Sequence, residues 1–227
     1  IAEIYYKLYD PEPLAGYQHK VYNDWSKCNS KIIEMGTSRR LSFDHEDEAI
    51  KALINARKIK GCANLYFAKK YNLETYGSIA HQWFLAKGNK QGLKDWLTLG
   101  YPVNTFLPDT FTTKRFLEEV DPEDVFKYNG VRHDSGNVFN FVDTIERYYG
   151  KNNKPSPNYA FTNTLNYDNV NIISNNFPYL NCTFGVGTNV TCIRTTGSRR
   201  LNIVIKPYEF DGMEVHKQSD DPEDRKS

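Results

Sequence analysis

The feature that most limits what this chain can fold into is a succession of apolar, strand-like runs, each ending in a short polar signature. In order these are Gly77-Ser78-Ile79-Ala80-His81-Gln82-Trp83-Phe84, Leu107-Pro108-Asp109-Thr110, Gly130-Val131-Arg132-His133-Asp134-Ser135-Gly136, Phe161-Thr162-Asn163-Thr164-Leu165-Asn166 and Phe184-Gly185-Val186-Gly187-Thr188-Asn189. Reactive and ligand-gripping side chains at successive strand ends are the one-dimensional trace of an α/β barrel active site, because all such ends face one mouth. The pattern points to an enzyme.

With 227 residues, 39% hydrophobic and 25% charged, the chain can bury a substantial core. Its 29 basic and 28 acidic side chains leave a formal charge of +1, so no global field recruits nucleic acid or an anionic membrane. No run is long and apolar enough to span a bilayer. Cys28, Cys62, Cys182 and Cys192 lack metal-ligand spacing and read as buried free thiols of a reducing compartment. The start at Ile1-Ala2-Glu3-Ile4 has no initiating Met and no signal-peptide pattern, and reads as the interior of a longer chain or as an excised piece of one. The sequons at Asn181 and Asn189 are discounted without secretion.

Helical spacing of Ile1, Ile4, Tyr5 and Leu8 predicts an opening amphipathic helix stopped by Pro11-Glu12-Pro13. A second helix is expected over Asp44 to Lys58, and a third is capped by Asn64 and runs to Tyr71. A short run to Ala80, a helix from His81, a strand at Thr105 to Leu107 and a helix around Phe116 follow. Then come a strand into Arg132, a helix from Asn137 to Tyr149, a strand through Tyr159-Ala160-Phe161, a helix near Asp168 to Asn175, and strands at Leu180 to Phe184 and Leu201 to Ile205. This alternation favours a parallel sheet, as a barrel or as an open doubly wound sheet. The domain is drawn over 1–217, followed by a polar tail over 218–227; the chain after Val215 is expected to be unpaired.

The signatures suit several chemistries. Gly185 and Gly187 let backbone N–H groups converge on an anion, with Thr188, Thr162, Asn163 and Thr164 as further donors; a plain tight turn is the alternative. Arg132 and Asp134 flank His133 and share one face of an extended segment. That pair can grip a diphosphate and ribose, or form an internal ion pair. Asp109 is either a helix-capping acid or a catalytic one. Arg39 and Arg40 follow Gly36 as a solvated charge pair or as a fork for a carboxylate or phosphate. His81, at a helix start, is a core histidine or else a nucleophile or proton carrier.

Taken together, Gly-Ser-Ile-Ala-His-Gln-Trp-Phe, Gly-Val-Arg-His-Asp-Ser-Gly, and Phe-Gly-Val-Gly-Thr with Leu-Asn-Ile-Val-Ile-Lys resemble the nicotinate phosphoribosyltransferase family, from Ile1 to about Lys217. The resemblance implies an α/β fold, an irregular TIM-like barrel of the type II phosphoribosyltransferase kind, either whole or incomplete here. It implies transfer of phosphoribosyl from phosphoribosyl pyrophosphate to nicotinate, coupled to ATP through a phosphohistidine, with Mg2+, in a cytoplasmic homodimer. By motif position His81 is that histidine, Asp109 supports it or the metal, and Arg132 and Asp134 hold the ribose and pyrophosphate. Arg39 meets the nicotinate carboxylate, and Arg40, Ser78, Thr162, Asn163, Gly185, Gly187 and Thr188 complete substrate binding. No metal ligand is assigned to the protein itself.

Two alternatives stand beside this reading, the first motivated by departures from the family pattern at Ser38, Ala63 and Asn163 and by the family's N-terminal aromatic contribution falling before Ile1. One is a non-catalytic relative that binds a phosphoribosyl ligand or a partner; the other is an enzyme preferring nicotinamide.

Overall fold

The computed structural model describes residues 1–227 apart from 101–104, 196, 198–199, 202–204 and 222–227. In chain order the main elements are α1 (Ala2–Tyr9), α2 (Tyr17–Trp25), β1 (Ile32–Glu34), α3 (Phe43–Asn55), β2 (Ile59–Cys62), α4 (Leu65–Tyr71), β3 (Glu74–Thr75) and α5 (His81–Thr98). Then come β4 (Thr105–Phe106), α6 (Thr113–Glu119), α7 (Pro122–Val125), β5 (Gly130–His133), α8 (Val138–Lys151) and β6 (Asn158–Phe161). The last are α9 (Tyr167–Asn176), β7 (Cys182–Val186), α10 (Thr188–Thr191), β8 (Glu209–Phe210) and β9 (Met213–Glu214).

The chain divides into two compact units. The first holds Ile1–Gly77, Thr164–Tyr179 and Thr183–Val204; the second holds Ser78–Asn163, Leu180–Cys182 and Ile205–Ser227. Strands of the first unit lie in the order β3-β2-β1-β7, every pairing parallel. Those of the second lie in the order β6-β5-β4, also parallel. Parallel neighbours need a crossover, and α3, α4 and α8 supply it between β1 and β2, β2 and β3, and β5 and β6. The α/β alternation expected from the sequence is present in both units.

Side-chain caps start the helices where the sequence places turn residues. Ser42 Oγ accepts from His45 N at 3.2 Å, Asn64 Oδ1 from Tyr66 N at 3.0 Å, and Asn137 Oδ1 from Phe139 N at 2.9 Å and Asn140 N at 3.1 Å. In the first unit Ile50, Cys62, Phe67 and Ala68 form a fully buried cluster between α3, β2 and α4. In the second, Phe106 stacks on Phe116 with ring centroids 5.4 Å apart, and Phe84 meets Phe116 edge-on at 6.0 Å. Burying each such ring contributes roughly 1.5–3 kcal/mol. These layers anchor β4 and α5, whose ends carry the polar signatures.

Some expectations need correction. The helix at the start exists, but its apolar stripe faces outward: Ile1, Ile4 and Leu8 are 73%, 63% and 64% exposed, while Ala2 and Tyr6 are buried. Tyr6 takes the inner face because its hydroxyl is satisfied there, accepting from Leu201 N at 2.6 Å and from the Cys192 thiol at 3.4 Å, under the Arg194 guanidinium. Among the described residues, the segment after Val215, expected to be unpaired, is bonded. Gln218 N donates to Thr110 O at 2.8 Å, and Asp220 accepts from Thr113 N at 2.8 Å. All cysteines are free, with Cys28, Cys62 and Cys192 buried and Cys182 half-buried. The strand expected at Leu201 to Ile205 falls on residues 202–204, outside the described residues.

Candidate active site

Within the second unit, β5 presents Arg132 and, just past its end, Asp134 on one side, as alternation along an extended segment requires. The Arg132 guanidinium donates from Nη2 to Asp134 Oδ1 at 2.7 Å, from Nε to Thr162 Oγ1 at 2.8 Å and from Nη1 to Ser78 Oγ at 2.6 Å. Thr162 follows β6 and bonds Asp134 Oδ1 at 2.5 Å. One fork thus ties together the ends of β5 and β6 and the segment leading into α5. A guanidinium has five N–H donors, so further donors are left for a ligand.

His81 is the first residue of α5. Its Nε2 lies 3.0 Å from Asp134 Oδ2 and its Nδ1 lies 3.0 Å from Thr110 Oγ1, beyond β4. Burial alone pushes the Asp134 carboxyl up, but the Arg132 charge and the hydrogen bonds from His81 and Thr162 outweigh it and hold the group far below the usual carboxylate range. An ionised Asp134 can only accept, so in the neutral ring Nε2 is the nitrogen that donates and Nδ1 the one whose lone pair faces the Thr110 hydroxyl. That is the tautomer a nucleophilic imidazole needs.

Asp109 is buried behind this pair. Ser135 Oγ donates to its Oδ2, Lys217 Nζ stands 3.5 Å from the same oxygen, and its Oδ1 is 3.9 Å from His81 Nδ1. One ligand atom each from His81, Asp109 and Asp134 falls within 4.8 Å of the others. For a hard cation such as Mg2+ the donor set is incomplete. Both Asp134 oxygens are engaged by Arg132, Thr162 and His81, and only Asp109 Oδ1 has no hydrogen-bond partner among the described residues. The residues therefore fit Mg2+ held chiefly by a ligand's phosphate oxygens and water. Asn163 Nδ2 lies 3.5 Å from Gly136 O, too long for a strong bond.

In the first unit, β7 delivers Gly185 and Val186, and Gly187 and Thr188 turn the chain into α10. This turn is stitched to the Gly36 loop that follows β1. Met35 N donates to Val186 O at 2.8 Å and Thr191 Oγ1 to Gly36 O at 2.9 Å, and a Cβ on Gly36 would lie 2.1 Å from Thr191 Oγ1. The sequence-predicted anion loop and the Arg39-Arg40 loop are thus neighbours.

The two arginines differ in kind. Arg40 is spent internally, donating to Glu46 Oε2 at 2.8 Å and Glu3 Oε2 at 2.9 Å. Arg39, half-buried on the turn Thr37–Arg39, has no side-chain partner among the described residues. Beneath them Glu34, fully buried, accepts from Gly36 N and from Cys62 Sγ at 3.0 Å. Sequence reasoning missed Thr110, Ser135, Lys217 and Glu34 as site-shaping groups. Thr110 and Ser135 stood inside quoted signatures, but Glu34 and Lys217 carry no local mark.

The comparisons with known proteins bear on this arrangement. Residues 30–226 match the model of the nicotinate phosphoribosyltransferase (NAPRTase) family. The chain is 32% identical over 204 residues to a nicotinate phosphoribosyltransferase of Methanosarcina mazei, covering 84% of this chain and 50% of the relative. It is 33% identical to one of Pectobacterium carotovorum, covering 90% and 54%. The solved structure of a nicotinate phosphoribosyltransferase from Vibrio cholerae superposes with a TM-score of 0.88 at 28% identity, covering 98% of this chain and 60% of that one. The chain spans about half the length of the curated relatives it matches. The fold is accordingly the irregular α/β barrel type of the phosphoribosyltransferases expected from the sequence, represented here in part. On the match over residues 30–226, the chain belongs to the nicotinate phosphoribosyltransferase family.

Proposed function

We propose that this chain contributes the phosphate-handling part of an ATP-coupled nicotinate phosphoribosyltransferase, which makes nicotinate mononucleotide and pyrophosphate for NAD synthesis. The observation that carries the reading is His81, held by Asp134 at Nε2 and facing Thr110 at Nδ1, each at 3.0 Å. In the coupled step the Nδ1 lone pair forms a bond to the terminal phosphorus of ATP while the bond to the bridging oxygen breaks, and ADP leaves with that electron pair. Asp134 keeps the Nε2 proton in place and balances the charge that develops on the ring. Bound Mg2+ would neutralise phosphate oxygens at this step.

In the transfer step pyrophosphate departs from the ribose, leaving positive charge on the sugar. Asp134 stabilises that charge, and the remaining Arg132 donors receive the leaving oxygens. In the first unit Gly185, Gly187 and Thr188 suit a 5′-phosphate; in the second, Asn163 is a candidate for the same role, Thr162 acts by holding Arg132 and Asp134, and Ser78 steadies Arg132. Arg39 suits a carboxylate by its unspent fork, which favours nicotinate over nicotinamide. Arg40, bonded to Glu3 and Glu46, acts by holding the loop rather than by meeting substrate. A cytoplasmic homodimer is the assembly this reading implies.

The test incubates the protein with labelled ATP, Mg2+, nicotinate and phosphoribosyl pyrophosphate, and follows nicotinate mononucleotide and acid-labile phosphate on His81. Both are expected, with His81→Ala losing the label and the stimulation by ATP. Product without label removes the coupling; ligand binding with neither signal favours the non-catalytic relative.

A further inference from the structure

In the first unit a single carboxylate holds both shoulders of the turn that carries Arg39. Glu46 lies in the first turn of α3 and is fully buried. Its Oε1 accepts from Thr37 Oγ1 at 2.6 Å and from Asn64 Nδ2 at 3.2 Å, and its Oε2 accepts from Arg40 Nη1 at 2.8 Å. Asn64 Nδ2 also reaches Thr37 Oγ1, at 3.1 Å. Thr37 and Arg40 flank Ser38 and Arg39 in the chain, so the two ends of this short segment close on one side chain.

A carboxylate taken wholly out of water is tolerated only where hydrogen bonds and an opposite charge answer it. The groups that answer Glu46 sit on the Thr37–Arg40 segment and at the cap of α4, so its burial and the shape of that segment are one arrangement. Arg40 has a second acid in Glu3, but the Glu3 side chain is 36% exposed and that of Glu46 is 0% exposed. An ion pair open to water fixes a side chain weakly, whereas loss of a buried partner leaves a charge uncompensated. Glu46 is therefore the stronger tether. Arg39 N donates to Gly36 O at 3.0 Å, and the Arg39 guanidinium, with no side-chain partner among the described residues, is the group this framework presents.

We infer that Glu46 is a positioning residue for Arg39, and that by clamping Thr37 and Arg40 it sets the preference for a pyridine carboxylate over the corresponding amide. The inference rests on the carboxylate-binding role proposed for Arg39. A guanidinium recognises a carboxylate through two parallel charge-assisted bonds, which demand that its stem be fixed. An amide makes no such pair, so loosening the turn weakens the acid ligand selectively.

The test measures equilibrium binding of nicotinate and of nicotinamide by titration calorimetry, with circular dichroism as the check on folding. In Glu46→Met, which keeps the side-chain length and removes both acceptors, the Kd for nicotinate is expected to rise about ten-fold and that for nicotinamide less than about two-fold. Glu46→Gln still offers an oxygen to the Thr37 hydroxyl and should stay within about two-fold of wild type. On an Arg39→Ala background Glu46→Met should weaken nicotinate no further, because the two changes remove one interaction. Should Glu46→Met fail to fold, Thr37→Val removes one shoulder of the clamp alone, with a rise of about three-fold expected and the same lack of effect in Arg39→Ala. Arg39→Ala weakening nicotinate while Glu46→Met and Thr37→Val do not overturns the inference and leaves the proposed function standing. So does a loss in Glu46→Met that adds in full to that of Arg39→Ala, or that falls equally on nicotinamide. Nicotinate binding absent from the wild type, or unmoved by Arg39→Ala, overturns the proposed role of Arg39 and the role of Glu46 with it.

Discussion

Glu34 ends β1 between Ile33 and Met35, and nothing in that short context marks it as a buried acid. Burial and the neighbouring Glu46 push its carboxyl up to about 7, against hydrogen bonds from Cys62 and Gly36 that pull it down. Between its ordinary 4.5 and about 7 the folded chain holds a proton that the unfolded chain has released, so this group's stability is present at low pH and lost as pH rises through that window. Glu34→Gln removes the slope. The difference in Tm between variant and wild type should therefore grow from pH 4.5 to about 7 and stay constant above, and parallel curves would show that Glu34 is ionised throughout. Arg132 makes a second residue-scale prediction, because its bonds to Ser78, Asp134 and Thr162 use the fork as a fork. Arg132→Lys keeps the charge but cannot span the three partners, and a loss of about 10²-fold in kcat/KM with an unchanged circular dichroism spectrum is expected. The chemistry at 132 and 134 was legible because residues two apart on an extended segment share a face by geometry alone. That of Glu34 was not, because it depends on Cys62 and Glu46, which no local pattern brings to it.

At the scale of elements, legibility followed the caps. Asn64, Thr112 and Asn137 mark helix starts by a mechanism that operates within a few residues, and the helices begin where they stand. Strength of the cap is directly measurable at α8: Asn137→Ala should cost about 1 kcal/mol in urea unfolding, since two backbone N–H groups lose their acceptor. Thr112 is a contrasting case. It caps α6 with its hydroxyl, yet holds φ 75° and ψ 141°, a region that suits glycine. Thr112→Gly gives up a few tenths of a kcal/mol of cap and sheds strain of about 1 kcal/mol or more, so a net gain in stability is expected, two residues past Thr110. A loss would mean that the cap outweighs the strain. Where amphipathicity was the guide, the outcome was mixed. The α1 stripe of Ile1, Ile4 and Leu8 has the right period but lies outward, because period reports a face and not which face is covered. Helix α2 was not read at all, since Gln18, His19, Lys20, Asn23 and Asp24 dilute the apolar positions Tyr17, Val21 and Trp25 that do bury. Strand β1 is too short for alternation to show.

At the scale of the whole molecule, the residues singled out along one sequence sort into two units. His81, Asp109, Arg132 and Asp134 belong to the second unit; Arg39, Gly185, Gly187 and Thr188 belong to the first. Each unit also completes its own arrangement from distant sequence. The second recruits Lys217 to Asp109, a separation of 108 residues (217 − 109), and the first brings Thr191 to Gly36. Such closures lie beyond periodicity and capping, which is why the tail was expected to be unpaired when it is bonded to Thr110, Thr113 and Ser135. The division makes a functional prediction. If Arg39 meets the nicotinate carboxylate while His81 takes phosphate from ATP, Arg39→Ala should raise the nicotinate KM by about 10-fold or more, the usual consequence of losing a charge-assisted pair. Labelling of His81 by ATP in the absence of nicotinate should be unchanged, because Thr110 and Asp134, which hold its imidazole, lie in its own unit. His81→Ala should do the reverse, abolishing label while equilibrium binding of nicotinate persists. Loss of label in Arg39→Ala, with the fold intact by circular dichroism, would mean that the guanidinium serves the phosphate chemistry instead. Its unspent fork would then be a phosphate clamp, and selection of the pyridine acid would have to come from other residues.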